Sequence, residues 1–289
     1  MGSKALKLDL VDVFGAGPLR GNPLGVVHGG EGLEPAAMLA ITQWLGFSET
    51  TFLLPPTDPD ADYRVRIFCL ARELDFAGHP TLGSCRAWLA AGGTPKRPGV
   101  IVQECGVGPV EVRQEGGRLA FRAPPLIRSG PLDPDERAEA IALAGVDPAA
   151  VVEAVHVANG PNWRLLRLRS DADVLAARPQ ARGPAGTDIG LAGPCAAGSA
   201  IDWELRAVFA NQRGEMVEDP VTGSFNAGLA MHLFAEGLAK ERYVAAQGRM
   251  VGADGRVHCA IGADGSVWIG GRADMIASGA RLGVFGAGA

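Results

Sequence analysis

The chain has 289 residues, of which 47% are hydrophobic and 20% charged, and its formal net charge is −5 at pH 7. This length and composition predict a globular protein with a buried core and room for two domains. The excess of acidic residues excludes a broad positive surface for nucleic acid or anionic membranes, and no stretch approaches the roughly 20 apolar residues of a membrane span.

The number and spacing of the cysteines and histidines indicate the cellular compartment and argue against a bound metal ion. The five cysteines are an odd number without a C-x-x-C pair, and the histidines lack metal-ligand spacing. The first residues carry no apolar run of a signal peptide. We therefore expect a protein of the reducing cytoplasm without a metal site.

In chain order, the first half is predicted to consist of strands and two helices. Leucines alternate with polar residues over 6–10, which indicates a half-buried strand. A Gly/Pro loop, "GAGPLRGNPLG", precedes a helix over 35–45. Residues 48–54 ("SETTFLL") and 63–67 are predicted strands, and a helix over 80–91 is ended by a Gly-Gly pair.

The second half repeats this order. The segment "PPLIRSGPLDPDERAEAIALAGVDP" predicts a connecting helix of about three turns. Strands through "NWRLLRLR" and "WELRAVFA", a helix over 220–236 and closing strands "RVHCAIG" and "SVWIGG" follow. We predict an α+β protein with an N-terminal lobe, 1–130, and a C-terminal lobe, 131–289. The boundary is placed between 125 and 150, and it stays open whether the last residues return to the first lobe.

An internal repeat relates the two halves. An offset of 140 residues places "HPTLGSCRAWLA" (79–90) over "DPVTGSFNAGLA" (219–230) without a gap. Two helices rich in alanine and glycine can match by chance, but the shared Pro and Gly-Ser positions favour a duplication. We therefore expect two lobes of similar fold.

The repeat also predicts how each of these helices begins. Proline is tolerated at the first helical position, which makes Asp219 and His79 the predicted N-caps. If the lobes face each other, both helix N-termini converge on one cleft that suits a carboxylate. Capping alone explains Asp219, whereas histidine is a poor cap, so His79 is expected to titrate or to form hydrogen bonds.

Four stretches together resemble one known family. They are "DVFGAGPLRGNPLGVV" (12–27), "SETTFLL" (48–54), "LDFAGHPTLGS" (74–84) and "VEDPVTGSFNAGL" (217–229), with a weaker match at "QGRMV" and "VWIGGRA". The chain resembles the phenazine-biosynthesis PhzF-like isomerases, which have the diaminopimelate epimerase-like fold. This resemblance implies two pseudo-symmetric lobes, each a curved sheet around a central helix. It also implies a homodimer, no cofactor and an active site between the lobes.

The resemblance assigns residues to roles. By motif position, Glu49 is the acid/base group, supported by His79, Asp219 and Ser224. A substrate carboxylate is then held near two helix-start turns, and the implied substrate-binding residues are Asn22, Gly78, Thr222 and Gly223. In the best-known member of the family, the reaction is the isomerisation of a dihydro-hydroxyanthranilate.

Two positions depart from the family pattern and bear on the substrate. Gly25 and Phe225 stand where alanine is more usual, and Phe225 is expected to narrow the cleft. The five tryptophans are predicted to fill the core.

The predicted chemistry is the movement of a proton between two carbons of a small carboxylate. Such a reaction needs a group that accepts and returns the proton, and donors that stabilise the transient negative charge. Glu49 lies directly before an apolar run, so partial burial and a raised pKa are predicted. A solvated glutamate at a strand end is the alternative.

Two other functions stay open. The same fold hosts amino-acid epimerases and racemases that use one cysteine from each lobe. Here the nearest thiol, Cys85, lies six residues along the helix from His79, about 9 Å at 1.5 Å per residue, and its counterpart is Phe225. A non-catalytic ligand- or partner-binding protein is the other alternative. The sequence does not identify the substrate.

Overall fold

In a computed structural model, the protein is described over residues 6–283. Within that range it divides into two compact units, residues 6–121 with 271–283 and residues 122–270. The division after Phe121 falls just before the predicted boundary range of 125–150. The segment from Gly271 belongs to the N-terminal unit.

The first unit is built from nine strands and two helices. The helices are Pro35–Leu45 (α1) and Gly78–Ala90 (α2). The strands are Leu6–Val13 (β1), Asn22–His28 (β2), Glu49–Leu54 (β3), Tyr63–Cys69 (β4), Glu73–Leu74 (β5), Val100–Cys105 (β6), Gly108–Glu115 (β7), Arg118–Arg122 (β8) and, returning from the end of the chain, Ala273–Leu282 (which becomes β18 in chain order).

These strands form a sheet that wraps around α2. Ala273–Leu282 pairs antiparallel with β1, and β1 with β2. Parallel pairs then alternate with antiparallel ones, β2 with β3, β3 with β4 and β4 with β6, before the antiparallel pairs of β6 with β7 and β7 with β8. The helix α2 contacts six of the strands and buries most of its residues. It is therefore the central helix of this unit.

The second unit contains the remaining strands and helices. Its helices are Pro134–Ala144 (α3), Asp171–Ala176 (α4) and Gly223–Ala235 (α5), with 3₁₀ turns at Pro148–Ala150 and Arg249–Val251. Its strands are Arg128–Pro131 (β9), Val151–Ala158 (β10), Arg164–Leu168 (β11), Asp188–Pro194 (β12), Trp203–Ala210 (β13), Met216–Glu218 (β14), Arg242–Gln247 (β15), Gly255–Ile261 (β16) and Val267–Gly271 (β17).

The pairing order of the second unit reproduces that of the first. The order runs β9, β10, β11, β12, β13, β15, β16, β17, with parallel pairs only at β11 with β12 and at β13 with β15. The 140-residue repeat extends into these strands. Asp62 accepts a hydrogen bond from the Val102 N–H and Asp202 one from the Val244 N–H, each at 2.7 Å. The two units therefore share one internal plan.

Helices α1 and α3 correspond to helices that the sequence predicts. Helix α1 follows Pro35 at its first position and stops at Gly46, whose φ of 75° favours glycine. Helix α3 is the predicted connecting helix, and a capping box between Asp133 and Glu136 begins it. The short α4 and the last strand, β18, were not predicted.

The two central helices do not begin where the sequence suggested. The N-cap of α2 is Ala77 and that of α5 is Thr222, so the prediction of His79 and Asp219 as N-caps is wrong. His79 lies inside the first turn of α2. Asp219 stays outside α5, because it precedes a proline and its carboxylate accepts a hydrogen bond from the Thr222 hydroxyl.

One expectation about aromatic residues is also corrected. Trp44 is 81% exposed on α1 and fills no core. Phe225 is fully buried, and a Cβ added to Gly190 would lie 1.9 Å from its ring, so the ring occupies the space that this glycine leaves. Phe225 therefore packs inside its own unit. Within the described range, no helix is long and apolar enough to cross a membrane.

Candidate active site

Glu49 and His79 meet inside the first unit. Glu49 opens β3, and because side chains alternate along a strand, it faces the same side as Thr51. Thr51 is hydrogen-bonded to Ser84 of α2 at 2.8 Å, so this face is turned toward the central helix. Glu49 Oε2 accordingly lies 3.5 Å from His79 Nε2. The strand places the carboxylate and the helix places the imidazole.

Burial decides the charge state of this pair. The His79 side chain is 5% exposed, and burial lowers the pKa of its imidazole to about 3. The ring is therefore neutral at neutral pH, and its contact with Glu49 is not an ion pair. Within the described range, His79 Nε2 makes no hydrogen bond. The Glu49 side chain is 19% exposed, so it is less buried than the ring that it contacts.

In the second unit, a buried glutamine organises the start of α5. Gln247, at the end of β15, accepts a hydrogen bond from the Thr222 N–H at 3.1 Å and donates to the Thr222 hydroxyl at 2.9 Å. It also donates to the main-chain oxygen of Asp219 at 3.1 Å and accepts from Asn226. The Thr222 hydroxyl in turn donates to Asp219 Oδ2 at 2.5 Å. This network fixes the Asp219 carboxylate beside the helix start.

Ser224 is held from two sides in the first turn of α5. Its hydroxyl oxygen accepts a hydrogen bond from Trp163 Nε1 at 2.9 Å, and its main-chain oxygen accepts one from Asn159 at 3.2 Å. The side chain of Trp163 is nearly fully buried, whereas Ser224 is partly exposed. The hydroxyl is thus anchored on its buried side and reachable on the other.

The three remaining predicted residues are main-chain or strand-start positions. Gly78 and Gly223 are the first residues of α2 and α5. The first N–H groups of a helix have no partner within the helix, so both positions offer donors to an anion. Asn22 is fully buried at the start of β2. It follows a loop whose Arg20 and Gly21 N–H groups donate to the Asp12 carboxylate.

Sequence reasoning missed three contributors, which are Trp163, Asn159 and Gln247. Gln247 belongs to the weakly matched "QGRMV" stretch, which was a usable signal. The tryptophan and the asparagine lie in the β10–β11 connection, 61 and 65 residues before Ser224 in the chain. No local pattern links residues at that separation.

The thiol alternative finds no support in the geometry. Cys85 is fully buried in α2, and burial raises the pKa of its thiol to about 12. Its counterpart in the repeat is the buried Phe225. In the part of the chain that the structure describes, no group of three or more His, Cys, Asp or Glu side chains is arranged to hold a metal ion.

Two surface cavities lie away from the predicted residues. One, of about 480 Å³, is in the first unit and is lined by Arg64, Arg66, Glu73 and Asp75 among others. The other, of about 240 Å³, is in the second unit. Neither is lined by a predicted site residue, so the candidate site rests on hydrogen bonds and burial instead of cavity size.

Comparisons with known proteins agree with this fold and with the sequence motifs. The profile of the phenazine biosynthesis-like proteins matches residues 11–279. The chain is 33% identical over 229 residues to a trans-2,3-dihydro-3-hydroxyanthranilate isomerase of Pseudomonas aeruginosa, which covers 78% of each chain. It is 34% identical over 177 residues to antisense-enhancing sequence 1 of Schizosaccharomyces pombe, covering 59% of this chain and only 60% of that protein.

A solved structure supports the same assignment. A predicted epimerase from Pseudomonas aeruginosa superposes with a TM-score of 0.74 at 28% identity, covering 97% of this chain and 99% of that one. The fold thus defines a two-unit α+β protein of the class that contains isomerases and epimerases. The chain belongs to the phenazine biosynthesis-like, or PhzF, family.

Proposed function

We propose that this chain is a cofactor-independent isomerase that moves a proton between two carbons of a small carboxylate, with Glu49 as the acid/base group. The observation that carries the proposal is the contact of Glu49 with a buried, neutral His79. The named activity of the isomerase relative is consistent with it. In the same proposal the protein is a cytoplasmic homodimer.

A neutral imidazole suits a group that must both take and return a proton. An imidazolium at 3.5 Å would favour the carboxylate form of Glu49 and weaken it as a proton donor. A neutral ring lies against the carboxyl group without that bias, and its Nε2 could donate to a carboxylate or accept from a carboxylic acid if the contact shortened, according to the tautomer. His79 thus acts as an orienting residue.

The proposed reaction has two proton transfers. Glu49 removes a proton from one carbon of the substrate, and the electron pair of the broken C–H bond spreads into the conjugated carboxylate system. The protonated Glu49 then returns the proton to another carbon of the same system. No net electron or proton is gained, so the reaction needs no further reagent.

Donors in the second unit are proposed to hold the substrate's negative charge. The Gly223 N–H and the Ser224 hydroxyl stand at the start of α5, and Asp219 is fixed beside them. Gly78 and Asn22 are assigned to substrate binding by the family motif.

A direct test measures the uptake of deuterium from solvent into candidate carboxylates. The panel contains trans-2,3-dihydro-3-hydroxyanthranilate, other cyclic unsaturated carboxylates and amino acids. We expect uptake at one carbon of a conjugated carboxylate by the wild-type protein. The Glu49→Gln variant keeps the side-chain size but cannot cycle a proton, so uptake should fall by about 10²- to 10⁴-fold while binding persists.

Glu73→Gln is the matched control. Glu73 is a glutamate of the same unit that pairs with Arg66 instead of a histidine, and its variant should retain wild-type uptake. Uptake into an amino acid at Cα only would favour the epimerase alternative, and binding without uptake into any compound would favour the binding protein. Wild-type uptake by Glu49→Gln would remove Glu49 from the mechanism.

A further inference from the structure

The hydrogen bond between Trp163 and Ser224 has a fixed direction. An indole N–H only donates, so the oxygen of the Ser224 hydroxyl must accept in this 2.9 Å contact. A serine hydroxyl can in general rotate and act either as a hydrogen-bond donor or as an acceptor. Here the role of the oxygen is set by its partner.

The indole has no freedom to choose another acceptor. Trp163 is 3% exposed, and its ring packs on Phe225 with centroids 5.4 Å apart. Its main chain is held as well, since its N–H donates to Pro161 and its carbonyl accepts from Val157. The N–H therefore points at Ser224 in the resting protein.

The hydroxyl proton of Ser224 is consequently left for an outside acceptor. Among the described residues, Ser224 Oγ donates to no group, and the side chain is partly exposed. The matching serine of the first unit differs. Ser84 is fully buried and shares its hydrogen bond with Thr51. Of these two aligned serines, Ser224 is the one that combines a fixed acceptor role with a partly exposed side chain.

We propose that Trp163 is a positioning residue, which orients the Ser224 hydroxyl as a donor to the carboxylate of the ligand. The inference rests on the proposed function for the carboxylate ligand, but not on the proton transfer by Glu49. Trp163 itself contacts no reacting atom. Its effect reaches the ligand through one hydroxyl group.

The Trp163→Phe variant removes the N–H and keeps an aromatic ring against Phe225. We expect the dissociation constant of anthranilate, a stable aromatic carboxylate used as the probe, to rise about five- to tenfold, while the rate of deuterium uptake at saturation changes less than twofold. In the Ser224→Ala background, the same change should have no further effect on affinity. The side-chain ¹⁵N–¹H signal of Trp163 should shift when anthranilate binds to the wild-type protein.

Trp268→Phe is the matched control, since Trp268 Nε1 donates to the Ser266 hydroxyl at 2.8 Å in the same unit. This control tests whether the loss of an indole-to-serine hydrogen bond lowers anthranilate affinity merely because it destabilises the protein. We expect the affinity of Trp268→Phe for anthranilate to be unchanged. The inference is overturned if wild-type protein does not bind anthranilate, if Trp163→Phe binds it normally, or if its effect is undiminished beside Ser224→Ala.

The two proposals fail in different ways. Suppose that Trp163→Phe weakens anthranilate binding only when Ser224 is present, and that the wild-type protein shows no deuterium uptake. This result would contradict the isomerase function and leave the role of Trp163 intact. Deuterium uptake that depends on Glu49, together with normal anthranilate binding by Trp163→Phe, would support the isomerase function and contradict the role of Trp163.

Discussion

The two units share one pairing order and one central helix, yet they present different chemistry at the start of that helix. In the first unit, the helix start buries a neutral histidine against a glutamate. In the second, it holds an aspartate and a partly exposed serine in a hydrogen-bond network. The two units thus share their strand order and differ in the residues at the start of the central helix.

The difference begins with where each helix starts. The repeat aligns Gly83, inside α2, with Gly223, the first residue of α5. The first unit therefore has about five more helical residues before the shared Gly-Ser pair. In the second unit, Gln247 accepts the Thr222 N–H and so stabilises the non-helical conformation of the preceding turn. A long-range partner, not local propensity, moves the helix start.

The largest effect that we expect is a loss of unfolding free energy when a buried glutamine is replaced, and it should differ between the two units. Gln247→Leu leaves the Thr222 N–H without an acceptor and removes one of the two acceptors of the Asn226 amide, which should cost about 3 kcal/mol of unfolding free energy. Gln103→Leu is the first-unit control. It removes an acceptor of the Tyr63 hydroxyl and a donor to Thr81, and should cost about 2 kcal/mol. Urea unfolding measures both.

Carboxylate binding then sharpens the contrast. Only Gln247→Leu releases Asp219 and Thr222, so only this variant should bind anthranilate more weakly, by about tenfold. Equal losses of affinity in the two glutamine variants would mean that the network of the second unit has no special role in binding.

The strands and the helix positions could be predicted from the sequence, because alternation and Gly/Pro boundaries are local signals. The motifs single out Glu49 and His79 as candidate site residues, and their side chains lie 3.5 Å apart, but their roles stay predictions. The repeat correctly suggested two similar units. The helix starts could not be predicted, since Gln247 is 25 residues from Thr222 in the chain. For the same reason the hydrogen bond from the buried Trp163 to Ser224, 61 residues along the chain, could not be predicted. Long-range hydrogen bonds leave no periodic trace in a sequence.

A second prediction concerns Glu204, which in the repeat stands where the first unit has Arg64. Glu204 is fully buried, its carboxylate oxygens make no hydrogen bond to the described residues, and Arg249 lies 3.3 Å away. Burial raises the pKa of Glu204 to about 7, although the positive charges of Arg249 and Arg256 lower this pKa and offset part of the rise. A raised pKa means that the folded state favours the protonated form, so stability is lost as pH rises from about 4.5 through 7.

Glu204→Gln should therefore stabilise the protein at pH 8 by about 2 kcal/mol and have little effect at pH 5. Chemical unfolding at the two pH values checks this. Glu218→Gln is the contrasting variant. Glu218 forms a buried pair with Arg206 at 2.7 Å, so its loss should destabilise the protein at both pH values. Equal stability of Glu204→Gln and wild-type protein at pH 8 would contradict the burial argument.

A third prediction assigns an acid-sensitive step to the first unit. Burial lowers the pKa of His79 from 6.5 to about 3, so the folded state disfavours the proton that the unfolded state binds. Stability from this residue is present above pH 6.5 and is lost as pH falls toward 3. The wild-type protein should lose roughly 1 kcal/mol more per pH unit than His79→Asn or His79→Gln between pH 6 and 4. Parallel stability curves for all three proteins would show that His79 does not carry this step.

The smallest effect that we expect distinguishes the two aligned serines. Ser84→Ala leaves the buried Thr51 hydroxyl without its partner, and Ser224→Ala leaves the Trp163 N–H without an acceptor, so each should cost about 1 kcal/mol of unfolding free energy. Their effects on ligand binding should differ. Ser224→Ala removes an accessible donor and should weaken anthranilate binding about five- to tenfold, with deuterium uptake only partly reduced, whereas Ser84→Ala should bind normally. Calorimetric titration of both variants at one pH makes the comparison. If Ser84→Ala weakened binding as much as Ser224→Ala, the divergence of the two helix starts would have no bearing on the ligand, and binding would depend on the overall stability of each unit.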